Sequence, residues 1–348
     1  MKFLRLAFYV LIAQLVLSGC AGEGVEETSS SLSSEINFDA YLGRNASTRA
    51  GVTDIDSLKK TGFGVFARYN HTNGATSPLM DNEHVTWKGD HWGYEHTRYW
   101  PNEGTVDFYA FAPYLKNVKL VNAPDSIKDN PTCIEFTSST SPVDLVWDVQ
   151  KNKTVPTSST DGKVKFVFKH ALARLGFDIT ANQELEENGA VIQVEEVKLY
   201  GDTIVNGAFD IKGYLNLENG GWSRPKDNTR VVYTWTPTGA EDGTNFKLSA
   251  SQLDHTCSKI ENAPNSYLCI IPQEKHVPFY LQITYTVQQG SFQEKKKVTV
   301  RKNLLDVHKP FKFEKGKAYV FHLKLSLDPI NFNISTTVGS WGVGVVNN

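Results

Sequence analysis

The chain has 348 residues, with 36 basic against 38 acidic side chains and a formal net charge of −2. That balance offers no basic bias toward nucleic acid. A hydrophobic content of 40%, with aromatic residues making up 11% of the chain, is enough for a sizeable core, and the length favours two domains.

The first 19 residues read as a leader. Lys2 and Arg5 supply positive charge, LAFYVLIAQLVL (6–17) an apolar run too short to span a bilayer comfortably, and Ser18 and Gly19 lead into Cys20. This is the layout of a secretory signal peptide. Its LSGC end resembles the lipobox of bacterial lipoproteins. The resemblance implies cleavage before Cys20 and acylation of that residue, so that lipid chains anchor the protein to the outer membrane. Without residues 1–19, 34 basic residues face 38 acidic ones, a charge of −4. Residues 20–34 are small, polar and acidic and read as a flexible tether. Three further cysteines, Cys133, Cys257 and Cys269, cannot all pair. Cys257 with Cys269 is the pair an exported chain would make, but buried thiols are the reading preferred.

Beyond the tether the pattern is period 2. EINFDAYL (35–42) puts Ile36, Phe38, Ala40 and Leu42 on one face. LGRNASTRAGVTD follows, small and polar apart from Arg44 and Arg49, the kind of exposed segment that proteases cut. GFGVFARY (62–69) and TVDFYAFAPY (105–114) read as strands, the second ended by Pro113. The polar run TVPTSSTDG (154–162) is the expected internal boundary, dividing a β-sandwich at 35–156 from another at 157–348. KVKFVFKHALARLGFDIT (163–180) alternates, passes through HALAR and resumes. Phe166, Phe168, Leu175 and Phe177 are accordingly expected in the second core. Residues 194–201, 279–289, 295–304 and 318–328 are further strands, separated by turn signals such as Asn73-Gly74, Asn188-Gly189 and Asn219-Gly220-Gly221. The chain closes on PINFNIST, with Ile330, Phe332 and Ile334 on one face, and on Trp341, Val343 and Val345 alternating with glycines. No long helical period appears, so the expected class is all-β, with short helices only.

No catalytic constellation accompanies these strands. His170, flanked by apolar residues, lacks a metal-spaced partner or a nucleophile and reads as a structural hydrogen-bonding histidine. His84, His91 and His96 in DNEHVTWKGDHWGYEH match no zinc motif, and neither a glycosidase carboxylate pair nor a phosphate-cradling loop stands out. No cofactor and no enzymatic activity are expected. Trp87, Trp92, Tyr94, Tyr99 and Trp100 read as inter-sheet core, or alternatively as a platform on which a monomeric surface lipoprotein would stack glycans.

Several stretches together resemble the fimbrillin family of Bacteroides-type pilins and pilus-associated lipoproteins. They are INFDAYLGRNASTRAG, GFGVFARY, WGYEHTRYWPNEGTVDFYAFAPY, DLVWD, KFVFKHALARLGFDI, YLCIIPQ and the closing INFNISTTVGSW, in family order over most of the mature chain. The resemblance implies two tandem transthyretin-like β-sandwich domains and a cell-surface pilus subunit serving adhesion to a host or bacterial surface ligand. It further implies that an arginine-specific protease cuts after Arg49, or secondarily Arg44, releasing the lipidated strand of Ile36, Phe38, Ala40 and Leu42. Another subunit would fill the vacated groove head to tail with a strand from 329–348, carried by Ile330, Phe332 and Ile334 or by Trp341, Val343 and Val345. Only GVGVVNN follows Trp341, where shaft subunits carry a longer extension. Shaft, tip and accessory positions therefore stay open.

Overall fold

The computed structural model describes residues 35–42, 55–124, 131–138, 143–157, 162–181, 191–235, 247–248, 267–275, 277–288, 295–306, 311–325 and 333–340. They form strands almost throughout, as the alternation requires. The described helices are α1 (Ile55–Thr61) and a single 3-10 turn at Leu304–Asp306. None is long and apolar enough to cross a membrane.

Nine strands come first: β1 (Asn37–Leu42), β2 (Phe63–Asn70), β3 (Thr76–Trp87), β4 (Trp92–Gly93), β5 (Thr105–Ala112), β6 (Leu120–Val121), β7 (Cys133–Thr137), β8 (Val146–Lys153) and β9 (Lys163–His170). Seven of them make one sheet in the order β1-β9-β8-β5-β2-β3-β4. Period 2 gives each strand two faces, and here both faces of the central strands are covered. On β5, Val106, Phe108 and Ala110 enter the first core with Phe38, Phe63 and Phe166. Tyr109 and Phe111, pointing the other way, meet Ile134, Phe136, Trp147 and Leu215 in a separate core. The turn signal Asn73-Gly74 closes the β2–β3 hairpin, with Gly74 at φ 85° and Asn73 Oδ1 accepting from Ala75 N at 2.9 Å.

The second half supplies β10 (Ala173–Ala181), β11 (Val191–Tyr200), β12 (Phe209–Asp210), β13 (Lys212–Asn216), β14 (Trp222–Ser223), β15 (Arg230–Val231), β16 (Tyr233–Trp235), β17 (Lys247–Leu248), β18 (Tyr267–Ile270), β19 (Gln273–Lys275), β20 (Tyr280–Gln288), β21 (Lys295–Asn303), β22 (Phe311–Phe313), β23 (Lys317–Leu325) and β24 (Asn333–Ser340). A sheet ordered β18-β10-β23-β24 faces one ordered β16-β11-β20-β21, with β17 beside β11. Leu175, Ile179, Ile192, Leu281, Ile283 and Phe321 fill the core between them. A third sheet, β14-β13-β7-β6, joins the two halves, because β7 lies before position 157 and β13 after it.

Two expectations are corrected by this pairing. The run 154–162 does not separate domains: it links β8 to β9, neighbours in the first sheet. Phe166 and Phe168 accordingly belong to the first core, not the second, whereas Leu175 enters the second. The crossing comes at Ala171 and Leu172, which are buried in the intervening core. Alternation placed these residues inward correctly but says nothing about which sheet a strand joins. The side chain of Phe177 lies outside the described residues. Next to the crossing, His170 Nδ1 lies 3.0 Å from Oδ1 of the buried Asp144. Cys133 and Cys269 are both buried, and Cys257 lies outside the described residues.

Candidate functional site

β1 is the first described strand and lies at the rim of the seven-stranded sheet. It pairs in parallel with β9, from Asn37 opposite Lys163 to Leu42 opposite Phe168. Ile36, Phe38 and Ala40 are 1%, 1% and 3% exposed, so this rim strand is part of the core rather than a cover over it. The ring of Phe38 sits among those of Tyr94 (5.4 Å), Phe166 (5.7 Å), Phe108 (5.9 Å) and Phe63 (6.4 Å). Leu42 is partly buried against the same core.

The flank of β1 away from β9 is held more sparsely. Glu35 bridges Tyr99, and Ile36 N donates to Arg98 O at 2.8 Å. Tyr94 Oη donates to Ile36 O at 2.6 Å and accepts from Arg98 N at 3.2 Å. Burial raises the Tyr94 phenol, which keeps its proton available for that bond. Outward from the β1–β9 ladder stand Asn37, Asp39 and Tyr41 beside Lys163, Lys165 and Val167. Were β1 absent, β9 would present a lysine-bearing edge, and lysines at sheet edges oppose indiscriminate pairing.

Burying Ile36 and Phe38 together is worth about 3–6 kcal/mol. That is a large share of a typical domain stability of roughly 5–15 kcal/mol. Four aromatic rings surround the Phe38 position and, two residues on, the small Ala40 side chain is buried.

At the other end of the chain, β24 is also an edge strand. It runs antiparallel to β23, with Ile334 opposite Leu323 and packed partly buried on the second core. Ile330, Phe332, Trp341, Val343 and Val345 lie outside the described residues, as do Cys20, Arg44 and Arg49.

The aromatic run 87–100 does not form one continuous exposed platform. Trp92 and Trp100 are buried, Trp92 against Phe63 (5.1 Å) and Trp87 (5.3 Å), and Trp100 against Phe108 (5.7 Å). Only Tyr99 among the five is a largely exposed ring. The histidines are dispersed: His84 stacks on Tyr114, His96 pairs with Glu83 and His91 with Asp90. No group of three or more metal-ligating side chains occurs among the described residues.

A family model described as fimbrillin-like matches residues 48–341. The chain belongs to the fimbrillin-like family. It is 32% identical over 187 residues to the fimbrium subunit Fim1C of Phocaeicola vulgatus, a match covering 48% of each chain. The chain thus spans about half the length of that curated relative. Its fold is similar to the crystal structure of a fimbrial protein from Bacteroides vulgatus, with a TM-score of 0.65 at 22% identity over 88% of this chain and 99% of that one. A protein from Bacteroides uniformis described as a cell adhesion protein gives 0.51 at 17% identity, again over 88% and 99%.

In this fimbrillin-like chain the seat of β1 has residues that alternation missed. Tyr94 and Arg98 lie in an irregular stretch with no period to expose them. Their role comes from backbone atoms of β1 some 58 positions away. The clustering of aromatic residues marks Tyr94 as a core candidate but does not show its bond to the first strand.

Proposed function

We propose that this chain is a structural subunit of a cell-surface fimbrium, not an enzyme, and that its first strand is a removable occupant of the assembly groove. The lipidated precursor is anchored through Cys20 after export across the envelope. An arginine-specific protease cuts after Arg49, with Arg44 the second choice, and β1 leaves with the lipid. A C-terminal strand of another subunit, from 329–348, then fills the groove and the fimbrium grows head to tail, supporting adhesion. Two β-sandwich units in tandem, joined at Ala171-Leu172, are part of this reading.

One observation carries it. Phe38 is surrounded by four aromatic rings of the first core, yet its strand has a continuous ladder on one side only. A segment that contributes core side chains from a sheet rim can be exchanged for another strand of the same pattern, backbone hydrogen bonds giving affinity and pockets giving specificity.

The test is the combined Arg44→Ala and Arg49→Ala variant, expected to stay membrane-bound and monomeric. Filaments from it whose subunits retain residues 20–49 would refute strand release. Fatty-acid labelling that persists in Cys20→Ser would separately refute the anchor.

A further inference from the structure

On the face of the first sheet beside β4, a cleft of about 540 Å³ opens between β3, the 94–96 segment and the 114–116 loop. Its volume falls within the range of roughly 300–1,000 Å³ usual for small-molecule sites. The cleft is built rather than incidental. Asn82, at φ 50°, interrupts the regular pleat of β3, and its Nδ2 donates to Leu115 O at 2.9 Å and Lys116 O at 3.3 Å. That pins the 114–116 loop across from β3. His84 stacks face to face on Tyr114, at 3.7 Å and 6°, and stiffens the same wall.

Glu83, only 9% exposed, lines the cleft. Both of its hydrogen bonds, from His96 N at 3.4 Å and His96 Nδ1 at 3.1 Å, fall on Oε1. Oε2 has none among the described residues. That oxygen is not sealed from solvent, so a donor group entering the cleft can reach it. Around the rim stand Asp81, Glu95, Lys88 and Lys116, exposed and without an ion pair among the described residues.

This lining selects a ligand class by elimination. Three carboxylates oppose an anionic ligand. They do not converge as a metal-ligand group, and the two lysine ammonium groups offset two of the three negative charges, leaving little net attraction for an organic cation. The polar walls do not suit an apolar guest. What remains is a neutral molecule with many hydroxyls, which donates to carboxylates and accepts from lysines at once. Tyr94 and Tyr114 add rings to the walls.

We propose that this cleft binds a neutral carbohydrate, with Glu83 accepting from sugar hydroxyls and Lys116 donating to sugar oxygens. The site is distinct from the buried tryptophans and does not depend on strand release, since it is formed with β1 in place.

The experiment titrates the full chain with galactose, N-acetylgalactosamine, N-acetylglucosamine, fucose and mannose, and with neutral oligosaccharides built from them, by calorimetry. At least one should bind. Glu83→Gln and Lys116→Met should each weaken that binding at least tenfold. Lys116 is exposed, so its replacement leaves the thermal midpoint unchanged and keeps the result interpretable should Glu83→Gln fold poorly. No binding by any of these sugars, equal binding by the Lys116 variant, or binding confined to sialylated or sulfated glycans would overturn the proposal.

Discussion

Phe168 and Phe166 sit on the same face of β9, and both contribute rings to the first core, 5.5 and 5.8 Å from Phe63. Phe168→Ala should cost about 3–5 kcal/mol in urea denaturation, the range for deleting a buried aromatic ring; a loss below about 1 kcal/mol would contradict the packing. Lys275 shows a different kind of residue-scale effect. It is 5% exposed, its Nζ donates to Ala208 O, and it lies 5.8 Å from the Phe209 ring. Desolvation, aided by Arg230 and Arg224 and opposed by Asp210, lowers its pKa from 10.5 to about 8. Between those values the unfolded chain binds a proton that the native state has released. Stability from this group therefore rises with pH through that window and is lost as pH falls toward 8. Compared with Lys275→Met, the wild type should gain on the order of 1–2 kcal/mol between about pH 7.5 and 10.5, less than the full shift because relaxation and water penetration reduce the effective desolvation penalty. A flat difference across the window would refute the shift.

At the scale of elements, β1 and β3 show how far alternation carries. β1 follows it without interruption, and its buried set matches the expected face. Alternation does not reveal β3, because its twelve residues carry register shifts against β2 between Val65 and Arg68. Met80, Glu83 and Val85 are its buried positions, a spacing of three and then two that no period describes. A bulge resets parity, so a strand containing one loses the signature by which strands are read. The irregular strand forms the cleft and the regular one fills the groove. For β1, protein lacking residues 1–49 should bind a synthetic EINFDAYL peptide, followed by fluorescence anisotropy. The same peptide with Ala at the Phe38 position should bind at least a hundredfold more weakly, since the aromatic pocket supplies most of the burial. Equal affinities would show that side-chain pockets do not select the strand.

Across the whole molecule, the connecting core joins the halves through residues far apart in sequence. β7 pairs with β13, from Cys133 opposite Asn216 to Thr137 opposite Lys212, and Trp222 Nε1 donates to Ala171 O at 2.7 Å across the crossing. A fragment of residues 35–156, cut where composition alone places a boundary, would lack β9 with Phe166 and Phe168 as well as the partner of β7. It should be largely unfolded by circular dichroism and amide exchange, whereas the intact chain is folded. A folded, cooperatively melting fragment would contradict the shared core.

The sequence by itself determined the all-β class, the inward face of β1, the turn at Asn73-Gly74 and, by resemblance, the fimbrillin-like family. These are local properties: the pleat repeats every two residues, and Gly74 supplies the left-handed backbone that its turn needs. Only the tertiary structure decided that β9 belongs with β1, that the tryptophans of 87–100 are buried, and that Glu83 opens into a cleft. Strand pairing over a hundred or more positions is settled by which buried surfaces fit together. A two-residue period contains no information about that fit.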